Sequence, residues 1–120
     1  MNSKPTIKQL DLLWSKVIKA RAGHTSEYKH IPDSYLAAHH IIGKPTRALR
    51  YNLDNGVCIT VGQHKFVAHH AGRQDDFRRW ALQKRRVTEE QLRLTSRNLI
   101  DMFGVKVYLE QKLKDLERCE

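Results

Sequence analysis

The chain has 120 residues, a length typical of one domain and too short for two separate enzyme domains. Hydrophobic residues make up 40% of it and charged residues 29%, a composition that allows a modest core and excludes a disordered chain. The 22 Lys and Arg residues against 13 Asp and Glu give a formal net charge of +9, which predicts a polyanionic partner. The basic surplus is concentrated in residues 41–86.

Cysteine usage and hydropathy indicate the compartment. Cys58 and Cys119 are too few for a disulfide framework, and they lack the C-x-x-C spacing of a zinc site. No apolar run approaches the ~18 to 20 residues that span a bilayer, and residues 1–8 lack the apolar segment of a signal peptide. We therefore expect a cytoplasmic protein with no membrane association.

The first half of the chain predicts one helix and two short strands. Apolar residues recur at helical spacing over 7–21. After a loop, the apolar segment 34–43 predicts a strand that ends in a His-His-Ile-Ile run. A basic loop follows, and a tight-turn signal at 54–56 precedes a second strand at 57–61.

The second half predicts helices. Residues 63–70 and 74–85 each form a short helical pattern, and a capping-box pattern at 88–91 begins another helix that Gly104 is expected to end. The tail predicts an amphipathic helix, whose apolar stripe serves either intramolecular packing, the favoured use, or a partner helix. The stripe consists of Val105, Leu109, Leu113 and Leu116.

Histidines cluster in or beside the most basic third of the chain. A metal site needs unprotonated nitrogen ligands, and a pair at a strand end can converge on one ion with a second group at a helix start. The alternative is that these are solvated or hydrogen-bonded surface residues. The five clustered histidines are His39, His40, His64, His69 and His70.

The order of histidine, asparagine and histidine across strand, loop, strand and helix carries a family resemblance. The segments are AHHIIG at 38–43, LRYNLDNGV at 49–57, and then His64. This pattern resembles the HNH endonuclease family, in particular its compact phage and prophage members. The core likeness covers residues 36–70, and a weaker likeness extends through LLWSK at 12–16 and DFRRW at 76–80.

The resemblance implies an α+β fold built on a ββα-metal motif, in which two antiparallel strands and one helix hold a divalent cation against a scissile phosphate. An N-terminal helix and C-terminal helices would flank that motif. We expect a single domain over 1–120, with an HNH core at 36–70 and a C-terminal helical extension at 74–120.

The resemblance also implies roles for individual residues. His40 matches the general base that deprotonates water, a task that suits an imidazole. Asn55 matches the residue that braces the motif and helps orient the base. His39, where the family often has Asp, and His64 match the metal ligands. One divalent ion is expected, Mg, Mn, Ni or Zn; having His39 in place of Asp shifts the preference toward Zn or Ni and away from Mg.

His69 is left open as a third ligand. Relatives that resemble the colicin nucleases use a further histidine one helical turn after the position of His64. His69 follows five residues later, which places it off that face in an ideal α-helix. His70 is the less favoured candidate, and the alternative for both is a basic surface that contacts phosphate.

One departure from the family concerns a structural zinc. Many relatives hold it with two C-x-x-C pairs, one before the His-His strand and one just before the position of His64. The matching stretches here, 23–30 and 60–63, contain no cysteine. The sequence therefore predicts that this zinc is lost and that the C-terminal helices supply the missing stability.

Basic residues around the motif are the expected nucleic-acid contacts. Those of the loop between the strands would contact phosphates, and those of the following helix would extend the basic surface, although a solvated helix face is the alternative. Trp80 is either core, the favoured use, or a stacking platform for bases. The residues are Lys44, Arg47, Arg50, Arg73, Arg78 and Arg79.

These features together predict a metal-dependent DNA endonuclease that hydrolyses phosphodiester bonds. The small size suggests that a homodimer or a phage protein partner, bound through the C-terminal helices, directs cleavage in the host cytoplasm. A non-catalytic nucleic-acid-binding module that retains the HNH fold is the alternative. A third interpretation is a small helical adaptor that recruits another protein through the apolar stripe of its tail; it accounts for that stripe but not for the histidine cluster.

Overall fold

The computed structural model describes residues 4–31, 34–43, 47–96 and 101–118, without the side chains of residues 47 and 48. Over these residues the fold is α+β, with helices packed around a two-stranded antiparallel sheet. No helix within the described ranges has the length and apolar character to cross a membrane. In chain order the elements are α1 (Ile7–Arg21), β1 (Leu36–His40), α2 (Arg47–Tyr51), a 3₁₀ turn (Leu53–Asn55), β2 (Gly56–Thr60), α3 (Val61–Gln63), a π-helical turn (His64–Ala68), α4 (Gln74–Arg85), α5 (Glu89–Thr95) and α6 (Met102–Arg118).

The sheet pairs β1 with β2 so that His39 lies opposite Val57 and His40 lies opposite Gly56. Every residue of β2 is buried. The prediction that the first strand continues through Ile41 and Ile42 is wrong. The Ile41 N–H donates to the backbone oxygen of Asn55 at 2.9 Å, but the Ile42 N–H donates to the Asn55 side-chain oxygen at 2.8 Å, so a side-chain bond replaces the strand ladder at Ile42.

Helix α1 is confirmed with its predicted bounds. Thr6 and Gln9 form a capping box at its start, which satisfies two backbone N–H groups that have no helical partner. Its buried stripe includes Leu10 and Trp14 and packs against Val105 and Leu109 of α6. The apolar stripe of the tail is therefore used for core packing, the favoured prediction.

One prediction for the second half of the chain needs correction. Gly104 lies inside α6 and does not end a helix, because the Asp101 carboxylate accepts from the N–H groups of Phe103 and Gly104 and so begins the helix nearby. The predicted capping box at 88–91 is confirmed, although α5 ends at Thr95. The expected continuation through Leu99 and Ile100 lies outside the described residues.

The basic segment between the strands also differs from its prediction. It contains the short helix α2, so Arg47 and Arg50 lie in a helix and not in an open loop. Lys44 lies outside the described residues. Leu49 and Tyr51 of this helix are buried, and that burial holds the helix against the sheet and its neighbours.

The helical segment after β2 begins earlier than predicted and has two parts. Val61 was expected in the strand, but Thr60 and Gln63 form a capping box that starts α3 at Val61. From His64 to Ala68 the hydrogen bonding widens to the i→i+5 pattern of a π-helix. Such turns are frequent at functional sites, and this one changes which side chains share a face.

A polar clamp lies between residues 23–30 and 60–63, the two stretches that contain no cysteine. We use this name for Ser26, Glu27, Gln63 and Arg85. The Ser26 hydroxyl donates to Gln63 Oε1 at 2.6 Å, and Gln63 Nε2 donates to the carbonyl of Lys29 at 2.8 Å. Glu27 accepts from Arg85 of α4 in a partly buried ion pair. The bonds of Gln63 join residues 23–30 to 60–63, and the Glu27–Arg85 pair joins the same loop to α4, so stabilisation there is partly local and does not come from the C-terminal helices alone.

Candidate metal centre

His39 lies in β1 with its imidazole directed into the interior. The residue is 7% exposed, and its ring lies 5.4 Å from that of Phe77 in an edge-to-face arrangement. Burial, followed by the nearby His64, His69 and His40, lowers its pKa from 6.5 to about 3. His39 is therefore neutral at pH 7, which is the protonation state that a metal ligand needs.

The π-helical turn brings His64 and His69 together. In an ideal α-helix two residues five apart point about 140° away from each other. Here the Nε2 atoms of His64 and His69 lie 3.1 Å apart, because the wider π-helical turn between them rotates these two residues toward the same face. The α-helical geometry that placed His69 off the face of His64 therefore does not apply to this segment.

The three histidines converge on one point. One ring nitrogen from each of His39, His64 and His69 lies within 4.8 Å of the others, and this is the one such group among the described residues. The ring centroids of His39 lie 5.1 Å from those of both partners. His70 is exposed and is not part of the group; its Nδ1 accepts from the N–H of Gly72 at 3.3 Å.

The donor set fits a divalent transition metal. Metal–nitrogen bonds of about 2.0 to 2.1 Å in a tetrahedral site place neighbouring nitrogens about 3.3 Å apart, close to the 3.1 Å between His64 and His69. Imidazole ligands suit Zn, Ni, Cu and Fe better than Mg, which takes oxygen ligands. Three neutral imidazoles leave room for water or a phosphate oxygen in the coordination sphere.

His40 lies next to His39 in β1 and has different surroundings. Its ring stacks on that of Trp14, with centroids 4.0 Å apart and planes 2° from parallel. Its Nε2 lies 2.9 Å from the backbone carbonyl oxygen of Arg50. A carbonyl only accepts hydrogen bonds, so Nε2 carries the proton, and in the neutral ring Nδ1 carries the lone pair.

Asn55 is fully buried and joins the end of β1 to α2. Its Oδ1 accepts from the N–H of Ile42 at 2.8 Å, and its Nδ2 donates to the carbonyls of Ile42 and Leu49, both at 3.1 Å. Leu49 precedes Arg50, whose carbonyl contacts His40. Asn55 thus fixes the backbone beside His40 and holds this imidazole indirectly.

All four site histidines line one cavity of about 340 Å³. Its opposite wall comes from α1, through Asp11, Trp14 and Ser15. Sequence reasoning missed these residues. The available signal was weak: Asp11 is the one acidic residue of a basic helix, and the i+3 and i+4 spacing of Trp14 and Ser15 puts all three on one face.

The predicted basic contacts have unequal surroundings. Arg78 lines a second cavity of about 240 Å³, together with His39 and His69, and lies 3.4 Å from Glu89. Arg79 pairs with Asp76 across one turn of α4, and Arg73 is exposed just before that helix. The side chain of Arg47 lies outside the described residues.

Arg50 and Trp80 face the protein more than the solvent. The Arg50 guanidinium donates to both carboxylate oxygens of Asp11, at 2.7 and 2.5 Å. Hydrogen bonding to Asp11 raises the pKa of Arg50. Trp80 is half-buried and packs on Tyr28 and Phe77, with centroids 4.9 and 5.3 Å away, which agrees with its favoured use as core.

Comparison with protein-family models, curated proteins and solved structures finds no match to this chain.

Proposed function

We propose that this protein is a metal-dependent HNH endonuclease that hydrolyses phosphodiester bonds in DNA. In this proposal β1, β2 and the helical segment 61–68 form a ββα-metal motif. The observation that carries the proposal is the convergence of His39, His64 and His69 on one point, in a cavity that His40 also lines. A metal-ligand group beside a separate, oriented imidazole is the pairing that metal-assisted hydrolysis needs.

His39, His64 and His69 would hold one divalent cation, with Zn or Ni favoured over Mg or Mn by the all-imidazole donor set. When bound, such a cation supplies Lewis-acid stabilisation of the charge that develops on a scissile phosphate and its leaving oxygen. The burial that lowers the pKa of His39 keeps its nitrogen available as a ligand at neutral pH.

His40 acts as the general base. The carbonyl of Arg50 fixes the proton on Nε2, and Trp14 holds the plane of the ring, so Nδ1 is the nitrogen that accepts a proton from water. Asn55 maintains the backbone that carries this carbonyl. His40 therefore has a set tautomer and a set orientation before substrate binds, which lowers the cost of reaching the transition state.

DNA is the partner that the charge favours. The chain carries a net charge of +9, and the exposed Arg73 lies close in sequence to the histidine cluster, whereas Arg78 at the second cavity is paired with Glu89. Binding through phosphates weakens steeply as salt rises, because counterions are released. A homodimer or phage protein that directs cleavage would use the outer face of α6, where Phe103 and Val107 are exposed, since the inner stripe packs on α1.

The test is cleavage of supercoiled plasmid by metal-free protein supplemented in turn with Zn, Ni, Mn or Mg. We expect nicking that needs a divalent ion and falls ~10²- to 10⁴-fold in His40→Ala, while metal binding and salt-sensitive DNA binding persist. His70→Ala is the matched control and is expected to cut as wild type does. Wild-type turnover in His40→Ala would contradict the assignment. DNA binding without cleavage by any ion would favour the non-catalytic module.

A further inference from the structure

Helix α1 lies outside the ββα arrangement and still contacts the residue proposed as general base. Trp14 of α1 is 2% exposed, and its Nε1 lies 3.4 Å from the carbonyl oxygen of Asn52. The indole is therefore fixed by packing at the point where it stacks on His40. One face of the His40 ring rests on a rigid surface.

A second contact from α1 reaches His40 through Arg50. The carbonyl of Arg50 contacts His40 Nε2 at 2.9 Å, and its guanidinium is held by Asp11 in a bidentate pair. The side chains of Arg50 and Asp11 are 24% and 30% exposed, so the pair is partly shielded from solvent. A bidentate ion pair of this kind fixes the orientation of the Arg50 guanidinium and also compensates its charge.

We propose that Asp11 is a positioning residue for His40, acting through Arg50. The inference rests on the proposed function, since positioning matters for catalysis only if His40 is the base. Asp11 anchors the Arg50 side chain to α1, which keeps the Arg50 carbonyl in line with His40 Nε2. Because that carbonyl favours the tautomer with the proton on Nε2, Asp11 helps to hold His40 in this tautomer and orientation.

This role differs from the one that sequence reasoning gave to Arg50. A phosphate contact needs a guanidinium with free donors and uncompensated charge. In Arg50, Nε and one terminal nitrogen donate to Asp11, and the carboxylate neutralises the charge. The two roles make opposite predictions for the same substitutions.

The experiment compares the steady-state kinetics of DNA cleavage by Asp11→Asn and Arg50→Lys with those of wild type. We expect kcat to fall ~10- to 100-fold in both variants, with KM within about 3-fold, because each loses the bidentate pair and misplaces the base. Asp115→Asn makes the same charge change on an exposed site of α6 and should cut as wild type does.

A phosphate-binding role gives the reverse pattern. Arg50→Lys would then retain most activity because the positive charge remains. Asp11→Asn would lower KM, because Arg50 is released to bind phosphate. That pattern, or an unchanged kcat in Asp11→Asn, would overturn the proposal.

A second readout does not require cleavage. Long-range ¹H–¹⁵N NMR of the metal-free protein reports which nitrogen of His40 carries the proton. We expect a single Nε2–H tautomer in wild type and in Asp115→Asn, and a mixture of tautomers in Asp11→Asn and Arg50→Lys. If wild type cuts no DNA, this result still tests the positioning by itself. An unchanged tautomer in both pair variants would overturn the proposal even where cleavage is observed.

Discussion

Gln63 and His64 are neighbours in one helical segment, yet their polar atoms have different kinds of partner. Gln63 is 6% exposed and finds partners within the chain: Oε1 accepts from Thr60 N–H and Ser26 Oγ, and Nε2 donates to the Lys29 carbonyl. The His64 ring instead faces two other imidazoles, those of His39 and His69.

The difference separates a structural polar group from one suited to an external ligand. Gln63 makes its hydrogen bonds to other groups of the fold, and these bonds stabilise the fold. Imidazoles that face each other share at most one proton per contact, and they disfavour protonation of their neighbours, as the lowered pKa of His39 reflects. A cation bound among them satisfies several lone pairs at once.

The largest expected effect is acid destabilisation of the metal-free protein through His39. Folding lowers the pKa of His39 from 6.5 to about 3, so between these values the unfolded chain binds the proton and the folded one does not. Stability is therefore lost as the pH falls from 6.5 toward 3, by up to on the order of 5 kcal/mol. Urea unfolding in EDTA at pH 7, 5.5 and 4 measures this loss.

The control for the acid effect is His39→Gln, which keeps a polar side chain and removes the titration. We expect this variant to lose distinctly less stability than wild type over the same pH range, because it lacks the imidazole whose pKa is lowered by burial in the fold. Parallel curves for the two proteins would show that His39 does not carry the acid sensitivity.

The next effect in size separates Gln63 from His64 directly. Gln63→Ala removes the acceptor of the Ser26 hydroxyl and the Thr60 N–H and the donor to the Lys29 carbonyl, and should lower the free energy of unfolding by about 2 kcal/mol. It should keep the stabilisation by Zn, about 2.7 kcal/mol when the free ion is at 100 times its Kd. His64→Ala should change metal-free stability less and lose most of the Zn stabilisation.

Gln111→Ala is the matched control for this pair, because Gln111 is exposed on α6 and bonds Asp115. It should stay within about 0.5 kcal/mol of wild type with and without metal. The proposed difference between Gln63 and His64 would be contradicted if Gln63→Ala abolished the stabilisation of the folded protein by Zn, or if His64→Ala preserved that stabilisation.

The smallest expected effect concerns the spacing of the ligands. Deletion of the exposed Phe66 shortens the separation of His64 and His69 from five to four residues, and an ordinary α-helix then puts both on one face. We expect Zn affinity within about 10-fold of wild type. An alanine inserted after Phe66 gives a spacing of six, which neither helix type aligns, and should weaken binding far more. Equal losses in both variants would contradict the role of the π-helical turn.

Local signals were sufficient for much of the fold. The 3.6-residue periodicity of α1 and the capping box at 88–91 depend on neighbours in sequence, and both are confirmed. Asn55 shows the limit of such reasoning: its side chain, bonded to Ile42, ends β1 two residues before the apolar pattern does.

The candidate site shows the same limit in two ways. His69 was placed off the ligand face because periodicity assumes an α-helix, and the sequence carries no signal for a π-helical turn. Asp11 and Arg50 are 39 residues apart, and their pairing arises only from the packing of α1 beside α2. The catalytic and ligand roles themselves stay predictions.

The most direct test of the proposed three-histidine metal site is calorimetric titration of the metal-free protein with Zn, for wild type, His69→Ala and His70→Ala. We predict that wild type and His70→Ala each bind one equivalent of Zn tightly per chain, and that His69→Ala binds Zn at least ~10-fold more weakly. His69 lies within the cluster and His70, the next residue, lies outside it. Absence of Zn binding in wild type, or equal affinities in the two variants, would contradict a metal site formed by His39, His64 and His69.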